Sequence, residues 1–114
     1  MKHYEAIGII ETQYFTVALE MLDQVTKTAA VEFLSSKNDL GGKLVSIIVG
    51  GSISDVSVAI EQAQYVNSLK QSHPLKNAVM ITNPSPEILK FVIPKEQQIK
   101  EEQAKLIEEE INNE

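Results

Sequence analysis

Gly41-Gly42-Lys43 is the stretch best equipped by residue type to hold a ligand, because glycines leave main-chain amides open and a lysine adds a cation, the ingredients of a phosphate cradle. The context argues against that use. A Walker-type loop needs G-x-x-x-x-G-K-[ST] between a strand and a helix, whereas Leu44 follows this lysine and the segment LVSIIVGG after it is apolar and β-rich. In a single chain the motif is a hairpin turn whose glycines supply positive φ. The other residues with chemical potential are scattered. His3 lies at a terminus and His73 beside Pro74, with no carboxylate or second histidine at ligand spacing. Glu5, Glu11 and Glu20 have no nucleophile or base pattern beside them, and read as exposed carboxylates on strand and helix. No catalytic residue, metal site or cofactor is expected, and the chain is not expected to be an enzyme.

Composition narrows the classes further. The 114 residues contain no cysteine, which removes disulfides, thiolate zinc sites, iron–sulfur clusters and cysteine nucleophiles. A hydrophobic fraction of 43% with 23% charged residues is that of a globular domain, and no long apolar span or signal-like leader interrupts it, so membrane partners are not expected. A formal charge of −6 without any basic cluster opposes nucleic-acid binding. The charge is uneven. Residues 94–114 hold seven Glu and three Lys, a net of −4, which leaves −2 for the rest. A body over 1–93 and an acidic, helical tail over 94–114 are implied.

Periodicity gives the elements that position these residues. YEAIGIIE is apolar on both faces around Ala6 to Ile10, the pattern of a strand covered on both sides. With Thr12 as N-cap, Phe15, Ala18, Leu19, Leu22, Val25, Thr26 and Ala29 fall on one helical face, leaving Val17 and Met21 as a second strip available to a partner chain. VEFLSS (31–36) and KLVSIIVG (43–50) read as a hairpin across a longer polar loop. Ser52 or Ser54 caps a second helix, with Asp55 suited to a capping box and Val56, Ala59, Ile60, Ala63 and Val66 buried. NAVMIT (77–82) is the last strand, stopped by Asn83-Pro84-Ser85-Pro86. The order β-α-β-β-α-β predicts an α+β, ferredoxin-like sandwich: a four-stranded antiparallel sheet with two helices on one face, followed by the tail.

Taken together, AIGIIET before a helix, KTAAVEF at its end, Gly-Gly before LVSIIVGG, and Pro-Ser-Pro after the last strand resemble the bacterial microcompartment shell-protein domain of the non-permuted, hexamer-forming type, from about Tyr4 to Val92. The resemblance implies a structural protein: a flat cyclic homohexamer tiling edge to edge into a shell around encapsulated enzymes, with a pore on the sixfold axis that passes small polar metabolites. It also implies other shell proteins as partners and the microcompartment as the location.

On that likeness Gly41, Gly42 and Lys43 fall on the pore loop, where inward lysines would form a positive ring favouring anions. Lys27 falls on the hexamer edge. Ser85 stands at another edge position, where members of the family usually carry an arginine between the two prolines, so a planar donor is lost there. An arginine common before the second helix is replaced by Gly50 or Gly51, and the hairpin is one residue longer.

In the tail, a helix is expected to open at Pro94, with Glu96–Lys100 and Glu101–Lys105 at favourable spacing. Ile99, Leu106, Ile107 and Ile111 give it a thin apolar stripe. So short and charged a stretch reads first as a solvated helix, with docking of the stripe on its own hexamer or on cargo as the alternative, and the resemblance implies that encapsulated enzymes attach through short helical segments. The residues alone leave a second class open: a ferredoxin-like regulatory or small-molecule-binding oligomer with the Gly-Gly loop as its ligand loop.

Overall fold

The computed structural model describes residues 3–93 and 95–112, with side chains over 3–93 and 103–111. Strand β1 (Ala6–Thr12) is the spine of the molecule. It pairs antiparallel with β3 (Leu44–Gly51) on one side and with β4 (Leu75–Thr82) on the other, and β2 (Glu32–Asp39) pairs with the outer side of β3. The resulting order β2-β3-β1-β4, joined through α1 (Phe15–Thr28) and α2 (Ile53–Ser68), is the expected ferredoxin-like sandwich.

One face of β1 is fully buried and the other is buried at Ile7 and half-covered at Ile9 and Glu11, as its apolar run leads one to expect of a strand packed on both sides. On one face Ile10 joins Val45, Ile47 and Val49 of β3 beneath Ala18, Met21 and Val25 of α1 and Ala59, Ala63 and Val66 of α2. Gly8 lets α2 settle there: a Cβ on it would lie 3.1 Å from Val56 and 3.3 Å from Val49. On the other face Ile7 packs with Tyr4, Leu34, Leu89, Val92 and Ile93. Three of those residues belong to or follow α3 (Pro86–Val92), a helix that the two prolines conceal in the sequence. The expected stop is a start. Ser85 accepts from the Ile88 amide at 3.3 Å as the N-cap, and Pro86 opens the helix, where its missing N–H costs nothing.

The first helix corrects two expectations. Thr12 is not its N-cap. It is the fully buried last residue of β1, and α1 begins after Tyr14, which has φ 67° and no side-chain cap. The buried face also differs. Met21 is fully buried, while Phe15 and Leu19 are about half exposed. At 3.6 residues per turn the buried arc is rotated by roughly 60° from the expected one. The apolar arc of α1 is wide enough to allow either orientation. Packing against the small Ala59 and Ala63 of α2 selects the side carrying Ala18 and the unbranched Met21.

The second helix starts as expected: Ser52 Oγ accepts from the Asp55 amide at 3.0 Å and donates to Asp55 Oδ2 at 2.8 Å. Strand β2 runs three residues further than VEFLSS, to Asp39, because its later residues are those of a polar edge strand. Its register slips between Phe33 and Ser35, which face Val49 and Ile48 in turn. Leu34 is therefore an inserted residue of a β-bulge. The bulge turns both Leu34, buried, and Ser35, which donates to the Val92 carbonyl at 2.5 Å, toward α3. The tail forms α4 (Lys95–Asn112). The expected start at Pro94, the Glu96–Lys100 and Glu101–Lys105 pairs and Ile99 lie outside the residues whose side chains are described.

The two faces of α1 are separable by mutation. Met21→Ala should cost about 2–5 kcal/mol in urea unfolding, whereas Leu19→Ser should cost about 1 kcal/mol or less. The reverse ranking would restore the orientation expected from periodicity.

Candidate functional site

The β2–β3 hairpin closes between Asp39 and Leu44, and four residues make its tip. Leu40, Gly41 and Gly42 have φ of 53°, 68° and 86°, and the Lys43 amide donates to the Leu40 carbonyl at 3.4 Å. Nothing lies within 4 Å of a Cβ built on either glycine, so conformation rather than crowding calls for glycine. Leu40 accepts the same left-handed backbone without that freedom, at about 1–2 kcal/mol, and is 74% exposed. A large apolar side chain held outward in a costly conformation marks a place where function is to be sought. Leu40 escaped the sequence reading because nothing in its type announces positive φ. Lys43 is exposed beside it.

Strand register fixes where this tip lies. β1 ends at Thr12 opposite Val45, so the tip belongs to the end of the sheet where β1 stops and β4 starts. Ala6, at the other end of β1, faces Gly51 and Thr82. That end also carries the last turn of α1 with Lys27, the start of α2, and Ser85 shortly after β4. The length of β1, about 23 Å for seven residues at 3.3 Å each, therefore separates Gly41-Gly42-Lys43 from the end that holds Lys27 and Ser85. The sequence-derived residues form two groups, not one.

Lys27 is well exposed, and its Nζ donates to Asp23 Oδ2 at 2.9 Å one helical turn earlier. A pair so placed contributes only ~0.3–0.5 kcal/mol, so the lysine can be redirected to another partner at little cost. Ser85 is committed to capping α3. The chain contains no arginine, so no planar guanidinium stands at this end of the sheet.

The acidic residues stay apart. Glu5 Oε1 accepts from the Ile53 amide at the start of α2 at 3.2 Å, and Glu20 pairs with Lys70 at 2.7 Å. Among the described residues no cluster of three or more His, Asp or Glu is placed to hold a metal ion, and no described helix is long and apolar enough to cross a membrane. What the surface offers instead is apolar area: Tyr14, Phe15 and Leu19 around the start of α1, Phe33 on β2 and Tyr65 on α2 are each about half exposed.

Comparison with known proteins agrees in kind. The BMC domain model matches residues 6–84. The bacterial microcompartment shell protein PduA of Citrobacter freundii is 34% identical over 73 residues, covering 60% of this chain and 77% of that protein, and PduA of Salmonella typhimurium strain LT2 gives the same figures. Among solved structures, a microcompartment protein from Desulfitobacterium hafniense DCB superposes with a TM-score of 0.63 at 21% identity, over 75% of this chain. The match spans 44% of that longer chain, and the likeness is one of fold.

The capping role of Ser85 is testable apart from any assembly. Ser85→Ala should destabilise the chain by about 1 kcal/mol and raise amide exchange in residues 86–92 selectively. Unchanged exchange there would remove Ser85 as the cap.

Proposed function

Because the chain belongs to the bacterial microcompartment shell-protein family, we propose that it serves as a hexameric shell subunit with its hairpin tip at a central pore and its Lys27 end at the facet edge. A structural role follows from the family. The finer assignment rests on one observation above all: the tip Leu40–Lys43 and the Lys27/Ser85 end lie at opposite ends of the same sheet. In a cyclic assembly a wedge-shaped subunit has one end at the axis and one at the rim, and these two groups supply one candidate for each.

At the axis, repeated Gly41-Gly42 backbones approach closely because no side chain intervenes, and exposed Lys43 side chains ring the opening with positive charge. Such a ring concentrates small anions and polar metabolites over cations. At the rim, Lys27 is exposed and held only by a weak intrahelical pair, so it can turn to a neighbouring hexamer. Ser85 offers no planar fork there, which leaves lateral contact more dependent on Lys27. The half-exposed Phe15 and Leu19 of α1 and Tyr65 of α2 supply apolar surface for contacts between subunits. Other shell proteins complete the facets, and enclosed enzymes attach through short helical segments.

Lys27→Asp should leave the ring intact but abolish extended sheets or tubes in electron micrographs; sheets equal to wild type would remove Lys27 from the rim. Lys43→Glu should slow passage of an anionic metabolite through assembled shells severalfold while leaving a neutral one unaffected. Equal slowing or no change would place Lys43 away from the pore.

A further inference from the structure

The face of the sheet opposite α1 and α2 is only partly covered by α3. Between α3 and the strands lies an open groove of about 410 Å³. Ile9, Ile48 and Ile81 form its floor, Ile88 and Phe91 its wall, and Lys37 stands at its rim, with Nζ 5.4 Å from the centre of the Phe91 ring. Phe91 is 82% exposed, the largest exposure of any large apolar residue described. The same chain carries an apolar ridge without a seat. Leu106, Ile107 and Ile111 of α4 are each more than half exposed. At 100° per residue they span about 140° of helix surface, with Glu110 inside that arc between Leu106 and Ile107.

We propose that the groove of one subunit receives the Leu106/Ile107/Ile111 ridge of α4 from the neighbouring subunit of the ring, with Glu110 meeting Lys37 at the rim. Chain geometry selects a neighbour over the subunit itself. Ile93 lines the groove and α4 begins at Lys95, so the helix starts where the groove is. An unbroken helix then carries Leu106 and Ile111 roughly 17 and 24 Å from its first residue, beyond a cavity of this size. Charge matches as well: a lysine at the rim meets a helix face with a glutamate in its apolar arc and Glu108 and Glu109 flanking it. Groove and ridge are different surfaces, so the contact is heterologous and repeats from one subunit to the next until a ring closes. The proposal rests on the ring-forming shell reading and adds a strap between adjacent subunits.

The cysteine-free chain permits a direct test. The full-length double variant Ile88→Cys with Ile107→Cys, oxidised and run on a non-reducing denaturing gel, should give a ladder rising to the copy number of the ring. A faster-migrating monomer band would show docking within one chain, and absence of cross-links would show an empty groove; each overturns the proposal. Dimers from Ile107→Cys alone at the same yield would show tail pairing with tail and overturn it too. Adding Lys37→Glu should cut ladder yield about fivefold, and adding Glu110→Lys as well should restore it. Failure of that rescue would mean that the rim pair plays no part. Light scattering on the unoxidised protein separates the two readings. A ladder that ends at a copy number other than six corrects the hexamer and keeps the strap, and a hexamer without cross-links keeps the ring and removes the strap.

Discussion

The need of β1 for apolar cover on both faces is the constraint from which the remaining structure follows. Its run Ala6 to Ile10 offers no polar side to water, so the sheet cannot rest on one helical layer. The helices α1 and α2 meet the first demand, aided by Gly8. Meeting the second requires a segment beyond the last strand, and α3 supplies it, fixed by the Ser85 cap and by the Ser35 bond to the Val92 carbonyl. The bulge at Leu34 serves the same end by turning an additional apolar side chain of an edge strand toward α3.

Coverage of the second face remains incomplete, leaving Ile9 half-covered and Phe91 exposed, and apolar groups of the helices and of β2 stay in water as well. One 114-residue chain holds two apolar layers around one sheet yet leaves Phe15, Leu19, Phe33, Tyr65 and Phe91 at least 46% exposed. Burying such area is favourable at about 25 cal/mol per Å² before the costs of association. In the hexamer proposed above, contacts between copies cover these groups.

Much of this was legible in the sequence because period and punctuation agreed. β1 is two-sided in pattern and in structure, and Ser52 with Asp55 announced α2 and its buried face. Reading failed where a local signal had two physical outcomes. Pro84-Ser85-Pro86 stops a strand and also starts a helix, and only contact with Leu89 and Val92 across the sheet decides. The wide apolar arc of α1 allowed two orientations, and the small residues of α2 chose between them. Leu40 carried no signal, since its left-handed conformation follows from the hairpin that contains it. The site residues themselves were named from resemblance, and the fold contributes their separation into two ends.

The pore and rim proposed for the two ends of one sheet have meaning only in a closed ring. The most direct measurement is the mass and symmetry of the unmodified protein by light scattering and single-particle electron microscopy. The account predicts a particle of six chains of 12.6 kDa each, with sixfold symmetry and the β2–β3 hairpin tips at its centre. A stable monomer, dimer or trimer, or a ring with the hairpin tips at its outer rim, would contradict it.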